Sequence, residues 1–234
     1  TGQGRAVGQW APKKSFGQNF LHSRGHLEAI ARAVAELFPP AQERKTVIEY
    51  GAGRGALTHG LLDRHLLVHA VERDRDLVPL LGAAFQEPIA AGQLVLHETD
   101  AKQFDVSPWV SGSPSGKCVV CGNLPYHLTS SLLLKTVREA KVLHGAVFLV
   151  QWEVAKRLCA PPGGRQRGML SVVMQSSFDA QGLAKVPRGA FFPVPKVDGG
   201  VIVLRPHREE YALAGALFHV VKRLLAPRRK TLKN

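Results

Sequence analysis

Three places along the chain combine residue types that could hold a ligand at one edge of a sheet. Residues 49–55 read Glu-Tyr-Gly-Ala-Gly-Arg-Gly directly after a short apolar run. Glycines at such a point let the backbone turn sharply and approach a ligand closely. The third glycine comes one residue too early for the G-x-G-x-x-G fingerprint that cradles a pyrophosphate. We therefore expect a ligand that needs close approach without a phosphate grip.

Two acidic residues follow the next two apolar runs. Glu72 ends the first of these runs, where its carboxylate could accept both hydroxyls of a ribose. Asp100 ends the second, where it could accept from an adenine amino group. Taken singly, each acid has a structural alternative as a helix cap or a solvated charge. Taken with the glycines, they predict an adenosine-bearing ligand such as S-adenosylmethionine (SAM).

A further segment, Asn123-Leu124-Pro125-Tyr126, suits methyl transfer to an exocyclic amine. The lone pair of such a nitrogen is delocalised into the ring. The side-chain oxygen of Asn123 and the carbonyl before Pro125 could accept both N–H groups and aim the lone pair at a methyl donor. Tyr126 offers an aromatic face to a flipped base. No strong base is needed, because the alkylated nitrogen loses its proton readily; the alternative is a plain turn.

The elements that must position these residues alternate between strand and helix. Strands are predicted at 46–48, 66–71, 93–97, 118–121, 146–150 and 197–204, and helices at 24–38, 56–62, 74–85, 128–137 and 211–225. This alternation indicates an α/β fold, with a mainly parallel Rossmann-like sheet and helices on both faces. The candidate residues follow strands, so they should meet at the carboxyl edge of the sheet.

Positive charge is concentrated at the two ends of the chain. Lys plus Arg number 31 against 18 Asp plus Glu, a net charge of +13. Residues 1–25 hold four of these cations and residues 222–234 hold six, and neither segment contains an acid. Residues 161–168 form a further basic loop. The pattern predicts a polyanionic partner, most simply nucleic acid, with solvated basic ends as the alternative.

The composition narrows the class of protein. A chain of 234 residues that is 45% hydrophobic suits one globular domain with a small appendage. Three cysteines argue against a disulfide framework and suit a reducing compartment. The Cys118–Cys121 spacing lies in an apolar run and is interpreted as a buried structural pair, so we expect no metal site. No apolar run is long enough for a membrane span, and residues 1–14 do not resemble a secretory signal.

Six stretches in order resemble the rRNA adenine dimethyltransferase family, which includes small-subunit enzymes and erythromycin-resistance relatives. They lie at residues 16–21, 49–58, 100–101, 123–126, 191–198 and 228–232. The resemblance spans residues 13–234 and implies a SAM-dependent methyltransferase domain at 24–206. A basic N-terminal arm at 1–23 would precede it, and a shortened helical, basic, RNA-binding segment at 207–234 would follow.

The resemblance also implies roles for individual residues. The residues expected to bind the cofactor are Gln18, Asn19, Leu21, Gly51, Gly53, Glu72, Asp100 and Asn123. Those expected to form the reaction site are Asn123, Leu124, Pro125 and Tyr126, with Phe191 stacking the target adenine from the other side. The cations expected to bind RNA are Lys13, Lys14, Arg165, Arg167, Arg228, Arg229 and Lys230.

The motifs favour the small-subunit branch, because Asn-Leu-Pro-Tyr and a late Arg-Arg-Lys-Thr are typical of it. Two features depart from the family: Ser131 stands where a proline is usual, and one helix stands where a C-terminal helical domain is usual. We expect dimethylation of adenines in a precursor of the small ribosomal subunit, by a monomer in the cytoplasm or, in a eukaryote, the mitochondrial matrix. The alternatives are a large-subunit rRNA methyltransferase that confers macrolide resistance and a non-catalytic RNA- or DNA-binding descendant.

Overall fold

The fold is built on two sheets. A computed structural model describes residues 12–13, 17–110, 115–163 and 166–207 of the chain. The strands are β1 (Phe20–Leu21), β2 (Thr46–Tyr50), β3 (Leu67–Glu72), β4 (Leu94–Glu98), β5 (Cys118–Asn123), β6 (Leu143–Gln151), β7 (Phe178–Val186), β8 (Phe191–Phe192) and β9 (Gly199–Pro206). The helices are α1 (Arg24–Ala35), α2 (Ala56–Leu62), α3 (Val78–Ala84), α4 (Gln86–Ala90), α5 (Ser107–Val110), α6 (Thr129–Arg138), α7 (Trp152–Leu158) and α8 (Met169–Gln175).

The larger sheet has seven strands in the order β4-β3-β2-β5-β6-β9-β7. The five strands from β4 to β6 are parallel, and β9 runs antiparallel to both of its neighbours. The chain moves outward from β2 to β4, then returns to place β5 on the other side of β2. This reversal creates a switch point between β2 and β5, where open α/β sheets bind their ligands. The predicted mainly parallel, Rossmann-like sheet is confirmed.

Two apolar layers cover the two faces of this sheet. Alternate side chains of one strand enter opposite layers, as the pleat requires: Val47 packs into the layer that contains α1 and α2. Its neighbour Ile48 packs into the layer that contains α6, α7 and α8. Cys121 and Cys118 are divided between the same two layers. The two thiols therefore lie on opposite faces of the sheet, and burial raises the pKa of Cys118 to about 12.

The structure differs from the prediction where elements are short or lie at an edge. The predicted helix at 74–85 begins only at Val78, because Pro79 suits the first turn of a helix and Asp74 accepts the backbone N–H of Asp76 in a turn ahead of it. The strands β1, β7 and β8 and the helices α4, α5, α7 and α8 are not among the predicted elements. The predicted helix at 211–225 lies outside the described residues.

Candidate functional site

An open pocket lies at the carboxyl edge of the parallel strands. Its empty volume is about 940 Å³, and it is lined by residues that end or follow β2, β3, β4 and β5. The segment 17–20 and Phe191 close the remaining sides. The pocket therefore occupies the switch point of the sheet, where open α/β sheets bind their ligands.

The pocket collects nearly all the residues predicted to act on a cofactor or at a reaction site. Eleven of the twelve line it, namely Gln18, Asn19, Gly51, Gly53, Glu72, Asp100, Asn123, Leu124, Pro125, Tyr126 and Phe191. The twelfth, Leu21, is buried and lines a smaller adjoining pocket together with Gly51 and Gly53. The structure thus brings these residues together, while the role of each stays a prediction.

Glu72 ties the glycine turn to the end of β3. Its buried carboxylate accepts the backbone N–H of Gly53 at 2.8 Å through Oε2 and that of Asp74 at 2.8 Å through Oε1. Gly53 has a left-handed φ of +61°, and a Cβ there would lie 2.9 Å from the ring of Phe20. Burial raises the pKa of Glu72, although the backbone donors oppose it. The backbone N–H of Arg73 is a third donor to this carboxylate. Because a carboxylate has about four acceptor positions, some acceptor capacity remains for a ligand hydroxyl.

The segment that precedes β1 is fastened to the residue after β3 by a hydrogen-bonded cluster. The carboxylate of Asp74 accepts two hydrogen bonds. Its Oδ1 atom accepts from the Lys13 ammonium, and its Oδ2 atom accepts from Nε2 of Gln18 at 2.8 Å. Lys13 also pairs with Asp76 at 2.7 Å. Burial alone would raise the pKa of Asp74, but the hydrogen bonds from Lys13 and Gln18 outweigh it and lower the pKa. We call this cluster the Lys13 latch.

The side chain of Asn123 is held in one orientation by the N-terminal segment. Its Nδ2 group donates to the backbone carbonyl of Asn19 at 2.7 Å. Within the described part of the chain, its Oδ1 atom has no hydrogen-bond partner. The backbone N–H of the next residue, Leu124, donates to the carbonyl of Leu149 at 3.0 Å. The side-chain amide of Asn123 can therefore offer its Oδ1 atom as an acceptor to a ligand, as the predicted chemistry at an exocyclic amine requires.

Two aromatic residues reach the same pocket from different directions. Phe191 is buried and arrives on β8, which pairs with β1 through the opposed residues Leu21 and Phe191. Tyr126 follows β5, and its buried hydroxyl has no hydrogen-bond partner among the described residues. Burial raises the pKa of Tyr126, and the charge of Asp198 adds to the shift. A buried hydroxyl without a partner is costly, so this atom suits a polar group of a ligand.

Asp100 lies at the rim of the pocket and is already engaged by neighbouring groups. Its Oδ1 atom accepts the backbone N–H of Lys102 at 2.9 Å. Its Oδ2 atom lies 3.3 Å from the guanidinium of Arg73 and 3.7 Å from the ammonium of Lys102. Arg73 itself lines the pocket, which the sequence did not suggest. Any adenine amino group that binds Asp100 would share the carboxylate with these cations.

A buried polar cluster under the pocket was also missed from the sequence. The ammonium of Lys135 donates to the hydroxyl of Tyr50 at 2.8 Å and pairs with Glu139 one helical turn further along the chain. Tyr50 lines the pocket and directly precedes the glycine turn. The only sequence signal was the i,i+4 spacing of Lys135 and Glu139, which is equally typical of an exposed helix face.

Two of the cations predicted to bind RNA make contacts within the chain. Lys13 belongs to the Lys13 latch, so a phosphate would compete with two carboxylates for its ammonium. Arg167 donates to Oε1 of Gln175 at 2.6 Å. Five further predicted cations lie outside the described residues, namely Lys14, Arg165, Arg228, Arg229 and Lys230. The RNA-binding role of all seven stays a prediction.

The part of the chain that the structure describes contains neither a candidate metal site nor a helix that could cross a membrane. Across residues 12–13, 17–110, 115–163 and 166–207, no three His, Cys, Asp or Glu side chains form a group that could hold a metal ion. None of the helices in those ranges has the length and apolar character needed to cross a membrane.

Comparisons with known proteins agree with the geometry. Ribosomal RNA small subunit methyltransferase A of Pseudomonas aeruginosa is 38% identical over 229 residues, which cover 97% of this chain and 82% of the relative. The protein of the same name from Anaeromyxobacter sp. (strain K) is 40% identical over 231 residues, covering 95% of this chain and 78% of the relative. The crystal structure of the 23S rRNA methyltransferase ErmE superposes with a TM-score of 0.68 at 26% identity, covering 87% of this chain and 77% of that one. The model of the family described as Ribosomal RNA adenine dimethylase matches residues 11–234, and the chain belongs to that family.

Proposed function

We propose that this protein transfers methyl groups from SAM to the exocyclic amine of adenines in small-subunit rRNA and forms dimethyladenosine. The observation that carries the proposal is the anchored amide of Asn123. Its Nδ2 group is fixed by the carbonyl of Asn19, which leaves Oδ1 as an acceptor in a pocket that also contains Glu72 and the glycine turn. A binding protein would have no use for an acceptor held in this way.

The residues at the strand ends fit SAM. The Glu72 carboxylate accepts from the backbone of Gly53, Asp74 and Arg73, and its remaining acceptor capacity suits a ribose hydroxyl. Gly51 has a φ of +75°, and the nearest atom to a Cβ there would be 4.0 Å away, so the backbone at this point is open to a ligand. The Lys13 latch holds Gln18 at the same end of the pocket. When bound, SAM would supply an activated methyl group on its sulfonium, and the residues of the chain would hold the cofactor in place.

The remaining residues would orient the acceptor base. Oδ1 of Asn123 and the carbonyl of Leu124 accept the two N–H groups of the adenine amine, so its lone pair turns toward the methyl donor. Tyr126 and Phe191 enclose the base between aromatic surfaces. The proton released after transfer goes to solvent, because the alkylated nitrogen is acidic. This arrangement needs neither a metal ion nor a general base.

The assignment to the small subunit is supported by the relatives' names and by their high coverage of both chains. The likeness to ErmE, a 23S rRNA methyltransferase, supports the large subunit as the second candidate. The two are separated by tritiated-methyl transfer from SAM to small and large ribosomal subunits that lack the modification. We expect label in the small subunit alone, recovered as dimethyladenine by mass spectrometry. Label in the large subunit, or in neither, would overturn the proposal.

The basic ends provide a second test of the RNA partner. Each phosphate that a cation neutralises contributes about 0.7–0.9 to the slope of log affinity against log salt. Replacing Arg228, Arg229 and Lys230 with alanine should lower that slope by about two or three and leave SAM affinity unchanged. The matched control replaces three surface cations that pair with acids, namely Arg32, Arg75 and Lys156. Equal slopes in the parent and the tail variant would show that the tail is only a solvated charge run.

We further propose that the chain acts as a monomer on a precursor of the small subunit, in a reducing compartment. The compartment is supported by the low cysteine content of the chain, which has three cysteines in 234 residues. The compartment is the cytoplasm, or the mitochondrial matrix in a eukaryote. Sedimentation of the chain alone and with small subunits tests the stoichiometry, and a stable dimer would contradict it.

A further inference from the structure

A short loop beside the pocket exposes an unusual amount of apolar surface. The structure describes seven large apolar side chains as exposed, and three of them lie within residues 192–197. Phe192 is 59% exposed, Val194 is 61% exposed and Val197 is 43% exposed. A cluster of exposed apolar side chains often marks a site that contacts another molecule. We call this segment the 192–197 loop.

The position of Phe192 follows from the pairing of β8 with β1. Successive side chains of a strand point to opposite sides, and Phe191 is buried in the wall of the pocket. Phe192 therefore points away from that wall, while its Cα lies only about 3.8 Å along the chain. It is opposed to Phe20, which also lines the pocket. The exposed ring of Phe192 therefore lies beside the pocket without lining it, one residue from the buried wall that Phe191 forms.

Cations flank this ring on both sides along the chain. Arg188 and Lys196 are exposed, and Lys196 makes no ion pair within the described part of the chain. Asp198, the neighbouring acid, is engaged by the Lys185 ammonium at 2.9 Å and by the backbone N–H of Arg188 at 3.0 Å. The charge of Arg188 also acts on Asp198, which it shares with Lys185, whereas Lys196 faces solvent. An exposed aromatic ring with cations nearby is the combination that binds single-stranded nucleic acid, with a base on the ring and phosphates on the cations.

We propose that Phe192 stacks the nucleotide adjacent to the target adenine, and that Arg188 and Lys196 contact its phosphates. The inference rests on the proposed function, because it assumes that an adenine occupies the pocket. A base that leaves its stack also unstacks its neighbours, and single-stranded RNA bases are recognised by stacking on aromatic side chains. Phe192 would therefore hold the strand in register while the target base lies between Tyr126 and Phe191. A protein partner on this loop would need its apolar surface but not its aromatic ring.

The first experiment compares three substitutions at one position in the full chain. Loss of one base–aromatic stack corresponds to about a 5- to 150-fold loss of affinity. F192A should raise the KM for under-methylated small subunits by that factor, with kcat and SAM affinity unchanged. F192W should stay within about twofold of the parent, and F192L should behave like F192A. The matched control is L183A, because Leu183 is 43% exposed and lines neither pocket.

The outcomes separate stacking from a plain apolar contact. Equal KM values for F192A, L183A and the parent would overturn the proposal. Full activity in F192L would also overturn it, because leucine retains the apolar surface but has no ring. Replacing Arg188 and Lys196 with alanine should reduce the salt slope of RNA affinity by about one to two. An unchanged slope would remove the phosphate contacts from the proposal.

A second experiment keeps this inference distinct from the proposed function. F192W places an indole on the 192–197 loop, and base stacking should quench its fluorescence when a single-stranded adenine-containing RNA is added. The parent, which has three tryptophans elsewhere, gives the background signal. If the parent methylates no small subunits, the proposed function fails, but quenching specific to F192W would still support the stacking site. If the parent methylates them and F192W shows no extra quenching, only the stacking site fails.

Discussion

Glu72→Gln tests whether one carboxylate serves both the glycine turn and the cofactor. In the parent, one oxygen accepts the backbone N–H of Gly53 and the other accepts that of Asp74. The amide of the variant side chain keeps one acceptor oxygen but presents an NH₂ group where the second stood. The new NH₂ group therefore faces the backbone N–H of either Gly53 or Asp74, and that backbone donor loses its acceptor. The substitution preserves size and burial, so its effects arise from hydrogen bonding and charge.

The size of each effect follows from these contacts. Leaving one buried backbone donor without an acceptor costs about 1–3 kcal/mol. Burial raises the pKa of Glu72, so removing its charge returns part of that cost. We therefore expect the free energy of unfolding to fall by about 1–2 kcal/mol, or roughly 2–8 °C in Tm for a chain of this size. Loss of the charged acceptor for the ribose should separately weaken SAM by about 5- to 150-fold.

Calorimetric titration with SAM and thermal unfolding measure the two effects on the same samples. The control is Glu98→Gln, an exposed acid on the neighbouring strand that pairs with Arg75, which should change neither quantity appreciably. A variant with lowered Tm but SAM affinity within about twofold of the parent would refute the reasoning. Glu72 would then serve only to hold the glycine turn, and the ribose would bind elsewhere in the pocket.

Three further predictions concern other residues of the pocket and the pH dependence of stability. Asn123→Ala should lower single-turnover methylation about 100- to 1,000-fold with SAM affinity unchanged, and near-parental turnover would contradict the mechanism. Lys13→Ala should weaken SAM several-fold by opening the Lys13 latch, whereas Lys13→Arg, which keeps the ion pair to Asp74, should not. Burial raises the pKa of Glu49 to about 7, so the folded state retains a proton that the unfolded state loses, and stability falls as pH rises from about 4.5 to 7. Burial, with the nearby His97 charge, lowers the pKa of His69 to about 4, so stability rises with pH between about 4 and 6.5. These two contributions oppose each other in the parent. In urea titrations across pH, stability should therefore rise more steeply with pH in Glu49→Gln than in the parent, and it should fall relative to the parent in His69→Gln. Curves parallel to the parent's would contradict both assignments.

The parallel half of the fold could be predicted because its signals are local. Strands β2, β3, β4 and β5 are short apolar runs, and each is followed by a glycine, an acid or a polar turn within a few residues. The edge strand β7 gives no such signal. Most of its side chains are exposed, and its pairing with β9 shifts register between Gly182 and Ala184. Neither a continuous apolar run nor a clean alternation marks it.

Most of the pocket could be predicted from the rule that parallel strands end at a common edge. That rule placed the glycine turn, Glu72, Asp100 and Asn123 together without any knowledge of their contacts. It could not find the contacts that cross the chain. The bond from Asn123 to Asn19 joins residues 104 positions apart, and that from Lys135 to Tyr50 joins residues 85 apart. Nothing in the local sequence specifies such pairs, since they depend on how the finished elements pack.

The segment that precedes and includes β1 connects the end of the pocket proposed for the cofactor with the end proposed for the base. Gln18 is bound to Asp74 after β3, and the next residue, Asn19, supplies the carbonyl that orients the amide of Asn123. Leu21 then pairs with Phe191, which forms the wall where the base would lie. A shift of this one segment would displace the cofactor contacts, the acceptor oxygen and the aromatic wall together. Under the proposed function, the methyl donor and the adenine would therefore not occupy independent sites, because one short stretch of backbone would fix the geometry of both.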